Sequence, residues 1–455
     1  MNQLNRREFL KGSSAFMTLA SFGLFGMDFK NPDGPIRTAL IGAGWYGKSD
    51  LFRLIQVADI DVVGLADPDK NMLEAAGRLV SERQKSGKVP PLYENYQDLL
   101  AKEKPELVLI GSPDHWHALQ AIDSLKAGAH VYLQKPISVD VIEGEAILAA
   151  ARKYNRVVQI GTQRKSTPHL IRAKQEIIDT GKLGKISHAE VCCYFHMRAN
   201  GNPPVQEVPD FFNYDLWTGP APLRPYDGLP HTRWWRTFME YGNGITGDMC
   251  VHMLDTVRWM LKLGWPSQVT GTGGIYVQKD GKSNIADTQT AIFEFPELNV
   301  VWQHRTWGNP VDPEYPWAFK IYGENGMLAG STMQADYFPY GDGEEPIHYD
   351  VVYEKEEYPE DVTEDRIELN AAPATRLHMK DWLKAIDNNT RPIADVEEGH
   401  ISTASCILAN ISMELGGRPL RYDPKSMTVI DDPEATAKLR RPYRAPYQHP
   451  EPSKV

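Results

Sequence analysis

Cysteine is scarce. The 455 residues contain four, Cys192, Cys193, Cys250 and Cys406. None sits in a CxxC pair or another zinc spacing, so the fold does not rest on a zinc ribbon, and no disulfide framework is indicated. Adjacent Cys192 and Cys193 would point to opposite faces of a strand. Positive charge is also in short supply. Against 60 Asp and Glu stand 49 Lys and Arg, a net charge of −11, which argues against a general nucleic-acid surface. There is no internal repeat, no low-complexity run and no apolar stretch long enough for a comfortable membrane span. What is present reads as globular: 42% hydrophobic, 24% charged. The length exceeds one ordinary core and implies two domains. The 11 Trp and 20 Tyr supply flat amphipathic rings that suit polyol surfaces, though most belong in cores.

The first residues differ in kind. "NRREFLKGSSAFMTLASFGLFG" pairs Arg6 with Arg7, continues Phe9-Leu10-Lys11, and runs apolar from Ala15 to Phe25. This resembles a twin-arginine export signal, with Asn5 in place of the favoured Ser or Thr. The resemblance implies a periplasmic protein that folds, and loads any cofactor, before export.

From Ile36 a new grammar begins. "IRTALIGAGWYGKSDLFRLI" is an apolar strand, a glycine-rich turn and a helix; "DVVGLADPD", "ELVLIGSPD", "AHVYL" and "VVQIGTQ" are further short apolar strands separated by helical segments. That alternation predicts a parallel sheet with helices on both faces. "KVPPLYENYQDLLA" adds a short irregular strand and a helix. After about residue 162, "KISHAEVCCYFHMR", "SQVTGTGGIYVQ", "DTQTAIFEF", "NVVWQHRTW" and "WAFKIYGENGMLAG" read as strands of a large, mostly antiparallel open sheet. Two late helices are expected around Thr375–Asn388 and Gly399–Leu415, the second ended by Gly416 and Gly417. The final "RRPYRAPYQHPEPSKV" is proline-rich and expected to be extended, wrapping a neighbouring subunit or trailing free. The reading is α/β, divided as 1–30 signal segment, 35–161 dinucleotide-binding domain, 162–425 substrate and oligomerisation domain, and 426–455 tail.

Three constellations carry chemistry. In Gly42-Ala43-Gly44-Trp45-Tyr46-Gly47, Gly42 permits a tight turn, Gly44 lets a pyrophosphate approach the helix N-terminus, and Gly47 allows helix-on-strand packing. Trp45 and Tyr46 flank that cradle. Asp67 ends the second strand, 25 residues after Gly42. A carboxylate there hydrogen-bonds ribose hydroxyls and repels a 2′-phosphate, favouring NAD, with NADP the alternative. "GSPDHWH" follows the third clear strand, at the ligand crevice of such a sheet. Ser112 and Pro113 bracket the cofactor, His117 lies near it, and Asp114 caps the following helix. No metal is expected. Lys135, in "LQKPIS" at the end of the next strand, falls beside the same crevice with Gln134, and Gln163 lies at the domain junction. In "GNGITGDMCVHMLD", Asp248, His252, Asp255 and Trp259 share one face of a predicted helix.

Together these residues resemble the glucose–fructose oxidoreductase / inositol dehydrogenase (Gfo/Idh/MocA) family over about Ile36 to Tyr422. The family's E-K-P motif stands as Gln134-Lys135-Pro136, a Gln-for-Glu departure. Its G-G-x-x-x-D-x-x-x-H-x-x-D pattern maps onto Asn243-Gly244, Asp248, His252 and Asp255, with Asn243 for the first glycine. A TPxxxH-like segment stands as Ser112-Pro113-Asp114-His115-Trp116-His117. The resemblance implies a Rossmann domain followed by an α/β domain, homo-oligomers (dimers or tetramers), a nicotinamide cofactor and a small carbohydrate substrate. It also implies that Lys135, Asp248 and His252 are catalytic. His252, with an ordinary pKa of about 6.5, suits a general base; Lys135 suits the reacting oxygen. Arg164, Tyr194, His196, Trp235, Arg236, Asp255 and His304 are candidate substrate contacts. Three functions follow: oxidation of a ring hydroxyl to a keto-sugar, for instance at C3; redox-neutral glycoside cleavage by transient oxidation and elimination, with Tyr194, His196 or His304 as added base; and non-catalytic sensing of a sugar or dinucleotide.

Overall fold

The computed structural model describes residues 34–195, 197–199, 201–231, 234–341, 343–362, 364 and 368–455. The export-signal reading and His196 fall outside them.

Six short strands form a parallel sheet: β1 (Ile36–Ile41), β2 (Ile60–Ala66), β3 (Leu92–Tyr93), β4 (Leu107–Ile110), β5 (His130–Leu133) and β6 (Val158–Ile160), in the order β3-β2-β1-β4-β5-β6. The helices α1 (Trp45–Val57), α2 (Lys70–Arg83), α3 (Tyr96–Glu103), α4 (His117–Lys126) and α5 (Val141–Lys153) connect them. Their ends follow from local chemistry. Asp69 and Asn95 accept hydrogen bonds from the first-turn amides of α2 and α3, and Asp140 with Glu143 forms a capping box on α5. β1 and β4 are buried along almost their whole length, as a doubly covered parallel sheet requires.

The second sheet has eight strands: β7 (Ile186–Cys193), β8 (Gln268–Gly274), β9 (Thr288–Glu294), β10 (Asn299–Arg305), β11 (Trp317–Gly323), β12 (Gly326–Ser331), β13 (Gln334–Pro339) and β14 (Ile347–Asp350). Their order is β14-β13-β12-β11-β7-β10-β9-β8. Only the β7–β10 pair is parallel; every other ladder is antiparallel. β9 and β10 alternate between buried and open residues, the pattern of a sheet with one covered face. The covering elements are α6 (Val251–Leu261) and α8 (Val396–Glu414), whose apolar residues join those of the strands in one cluster. All four cysteines are free thiols.

The late helix α7 (Ala372–Asp387) crosses back to the first domain. Met379, Trp382 and Leu383 pack with Leu40, Leu54 and Leu109 in the core of the parallel sheet. Sequence order therefore does not follow packing order, because the amphipathic face of α7 finds its apolar partner on α1. Trp382 is fully buried, so Trp382→Ala is expected to cost about 3–5 kcal/mol in denaturant unfolding.

The C-terminal stretch is not a free tail, nor does it need a neighbour to hold it. Arg441 donates to the Met239 and Gly242 carbonyls and, at 2.7 Å, to Asn243 Oδ1. Tyr443 donates to Glu143, Arg444 binds Asp215 at 2.6 Å, and His449 reaches Asp140 at 2.9 Å. Its polar groups thus find partners on both domains of their own chain. Asp140, Glu143 and His449 lie close enough to share an ion, but their oxygens are engaged in the α5 capping box and this clamp. Among the described residues, no helix is long and apolar enough to cross a membrane.

Candidate functional site

A cavity of about 580 Å³ runs along the C-terminal ends of β1, β2, β4 and β5 and into the second domain. At one end lies the glycine turn. Gly42 has φ +87°, and a Cβ there would lie 2.4 Å from the Ser112 amide nitrogen. Gly47 is closer still: an added Cβ would meet the Gly42 carbonyl oxygen at 2.1 Å. Gly44 is the opposite case. Nothing lies within 4 Å of its missing Cβ, so open space stands before the N-terminus of α1, where backbone N–H groups favour an anion. Trp45 and Tyr46 line the cavity beside it.

Asp67 accepts the amides of Ala43 and Asp69, both at 2.9 Å. Burial pushes its carboxyl up to about 6, and it lines the cavity with one oxygen on each neighbouring loop. This cradle and carboxylate fit a nicotinamide dinucleotide. Ser112 and Pro113 line the same wall. His117 stands behind it, between the Ser112 carbonyl at 2.9 Å and that of Pro136 at 2.7 Å. Burial holds its pKa down to about 4, and the single N–H of a neutral ring can donate to only one of these two carbonyls. The expectation that His117 touches the cofactor is corrected accordingly. Gln163 is a brace, donating to Tyr46 Oη at 2.6 Å.

Gln134 explains its own departure from the family pattern. Its amide donates to buried Asp50 at 2.6 Å, and burial raises the Asp50 carboxyl to about 7. A glutamate at 134 would put two carboxylates in that contact, and like charges so close cannot both ionise.

At the inner end, Lys135 donates to Asp248 Oδ1 at 2.5 Å and to its carbonyl at 2.9 Å. Burial draws the Lys135 pKa below its usual value, with Asp248 opposing. Burial would raise Asp248, but Arg236 and Lys135 outweigh it and hold the carboxylate ionised. Arg236 bridges Asp248 at 3.1 Å and Asp114 at 3.5 Å, its guanidinium over the Trp235 ring. His252 is buried, edge-on to Trp317 with centroids 5.5 Å apart. Burial and the charges of Lys135, Arg164 and Arg236 hold its pKa well below 6.5, so it is a neutral imidazole. Its Nδ1 has no hydrogen-bond partner among the described residues.

A π-turn over Thr246–Cys250 leads into α6, as such turns often do at functional sites. It places Asp248 and His252 on the cavity but not the full predicted stripe. Asp255, three residues past His252, turns to Lys165 at 3.2 Å and takes a hydrogen bond from Ser402 at 2.8 Å. Its reading as a substrate contact is corrected: it fastens α6 to α8. His304 is also corrected. It is buried beside Trp302, 3.3 Å from the Ala286 carbonyl, with its pKa down to about 4. Tyr194 pairs with Gln303 and stacks under Arg305 on β10, away from the cavity. Arg164, Trp235 and Arg236 do line it.

Asp114 was expected as a helix cap. Instead the chain takes one 3₁₀ turn, Asp114–Trp116, before α4, with no side-chain cap. The buried carboxyl faces Arg236, and burial lifts it to about 7. The far end of the cavity was missed altogether. Phe212 stacks on His231 at 3.7 Å, and His231 meets Asp69 at 2.8 Å. Two backbone bonds, Lys70 N to Phe211 O and Asn213 N to Pro68 O, tie this segment of the second domain to the loop after Asp67. An aromatic-rich stretch without strand or helix period, "PDFFNYDLW", was the available signal.

A dinucleotide cradle that opens with Lys135 of its own domain onto buried Asp248 and His252 of a second α/β domain defines an oxidoreductase architecture. Family profiles match nearly the whole described chain: an oxidoreductase family with an NAD-binding Rossmann fold over 36–162, a GFO/IDH/MocA C-terminal domain over 171–329, and an oxidoreductase-family C-terminal alpha/beta domain over 338–449. The chain belongs to the Gfo/Idh/MocA family. It is 29% identical over 152 residues, 33% of this chain, to inositol 2-dehydrogenase of Salmonella typhimurium, covering 43% of that protein. It is 26% identical over 112 residues, 24% of this chain, to glycosyl hydrolase family 109 protein 1 of Akkermansia muciniphila, covering 23% of it. The matched stretch thus spans less than half the length of these curated relatives. Among solved structures, an inositol dehydrogenase homolog from Azotobacter vinelandii, complexed with NADH and myo-inositol, superposes with TM-score 0.63 at 17% identity, over 86% of this chain and 98% of that one. That likeness is one of fold.

Proposed function

We propose that the chain is an NAD-dependent oxidoreductase that converts a ring hydroxyl of a sugar or glycoside to a ketone. The observation that carries this is the juxtaposition of Lys135, Asp248 and His252 on one cavity with the cradle at Gly44. A bound nicotinamide would supply the hydride acceptor. Lys135 holds the oxygen of the reacting hydroxyl, its ammonium favouring negative charge as the proton leaves. His252, a neutral imidazole on the cavity wall, takes that proton. Asp248 fixes the Lys135 ammonium and, with Arg236, orients the sugar. Asp67 is the feature favouring NAD over NADP, and C3 of a glucoside is the position proposed.

Export through Arg6-Arg7 is proposed with it, from the signal-like sequence. Free nicotinamide is scarce outside the cytoplasm, so a captive cofactor, recycled by a second sugar, follows. The open sheet face, with exposed Ile292 and Phe338, is the proposed surface of a homo-oligomer, which light scattering would test.

Mass spectrometry of the denatured protein as purified tests the cofactor. One NAD per chain, reduced on adding a glycoside and accompanied by a keto-sugar, is the expected result. Cleaved glycoside with unchanged cofactor would favour the second reading, a redox-neutral glycosidase, which the family 109 relatives support. Neither Tyr194 nor His304 is placed to serve as its added base. No nucleotide, bound or captured, would leave only a sensor.

The acid limb gives a further check. A base must be unprotonated, and His252 titrates well below 6.5. The kcat/KM profile is therefore expected to stay level as pH falls through 6.5 and to drop only at lower pH. Burial lifts Asp114 to about 7, so a limb centred at 6.5 or above that persists in Asp114→Asn would remove His252 from the role.

A further inference from the structure

Three cationic side chains meet at the inner end of the cavity, and they are unequally compensated. Lys135 holds Asp248, and Arg236 shares Asp248 and Asp114. Among the described residues Arg164 is the least compensated of the three. Its side chain is 4% exposed, and its nearest carboxylate, Glu368, lies 3.9 Å away and is itself 42% exposed. Its Nε makes no hydrogen bond among the described residues. The guanidinium lies over the Trp317 ring, 5.1 Å from the centroid, and His252 meets the same ring edge-on. Arg164 and His252 thus flank one aromatic wall of one cavity.

A buried guanidinium cannot escape its charge by losing a proton, and burial without a close partner is costly. A closer partner than Glu368 can arrive with a ligand. A planar fork held against an aromatic face is matched best by a planar two-oxygen anion, which it takes in two parallel hydrogen bonds.

We propose that Arg164 reads a carboxylate on the substrate, so that the preferred substrate is an acidic sugar, a uronate or uronoside, over its neutral hexose counterpart. The inference rests on the sugar-oxidising reading above and names the substrate class for that site. Lys135, Asp248 and His252 act on the ring hydroxyl, and Arg164 sets which ring is presented.

The test is calorimetric binding of D-glucuronate and D-galacturonate against D-glucose and D-galactose to the full-length, cofactor-bearing protein. At least one acid is expected to bind about 10–100-fold more tightly than its neutral partner, the range of one charged hydrogen-bonded contact. Arg164→Gln should erase that ratio, leave neutral-sugar affinity within about 3-fold and leave NAD content unchanged. Arg164→Lys, which keeps the charge without the fork, should retain part of the preference; if Arg164→Gln does not fold, this variant and the wild-type ratio decide. Equal binding of acid and neutral sugars overturns the proposal. So does loss of NAD from either variant, which would assign Arg164 to the cofactor phosphates. Binding is read without turnover. Failure to reduce cofactor with any sugar would count against the oxidation reading, and equal binding against the role of Arg164.

Discussion

Lys135→Met is expected to lower the rate of cofactor reduction by about 10²–10⁴-fold, the range for removing a positioned acid or charge stabiliser, while bound NAD stays near one per chain. The side chain is of similar length, and Asp248 keeps Arg236 at 3.1 Å, so the carboxylate is not left alone in a dry site. The variant should therefore fold. Single-turnover absorbance at 340 nm, with nucleotide content measured in parallel, reads both quantities. His252→Ala should fall in the same range. The double variant should be little worse than the weaker single one, because the two residues act on the oxygen and the proton of one hydroxyl. A rate within about 10-fold of wild type would remove Lys135 from the chemistry.

Gly47→Ala is expected to empty the cofactor site and to destabilise the fold. The new methyl would sit 2.1 Å from the Gly42 carbonyl oxygen. That oxygen cannot retreat easily, since the Gly42 amide is bonded to Ala66 at 2.8 Å and the Gly111 amide to Ile41 at 2.8 Å. Gly111 closes the other side, its own missing Cβ only 2.7 Å from Gly47 Cα. Helix α1 must move off the sheet, at the cost of about 1–3 kcal/mol typical of overpacking, and its N-terminus moves with it. Thermal unfolding should shift downward and mass spectrometry should find little nucleotide. Gly44→Ala is the contrast, since its methyl would meet open space. It should melt as wild type yet bind NAD poorly. Equal melting and equal NAD content in both variants would refute the assignment of the two glycines.

These two glycines show what could be read in advance. Their roles follow from spacing after an apolar strand, and local rules carry that far. The alternating strands and helices were legible for the same reason, and Lys135, Asp248 and His252 do line one cavity. Asp255 was misread because a face drawn on a regular helix ignores what lies on its flanks. Lys165 and Ser402 arrive from distant segments and claim the carboxylate. His117 and His304 were misread because a histidine's neighbours, not its position after a strand, decide whether it faces a cavity or a carbonyl. Gln134 seemed a simple loss from a motif until Asp50 appeared across from it. The Phe212–His231 wall was invisible because no period marks an irregular segment that crosses between domains. The fate of the C-terminal stretch was open for the same reason.

That stretch sets an order of assembly. Arg441 anchors the carbonyls of Met239 and Gly242 and the side chain of Asn243, immediately ahead of the turn that presents Asp248. While the ribosome still holds residue 441, those groups lack their guanidinium, so the turn that presents Asp248 gains this fastening only after nearly two hundred further residues have been made.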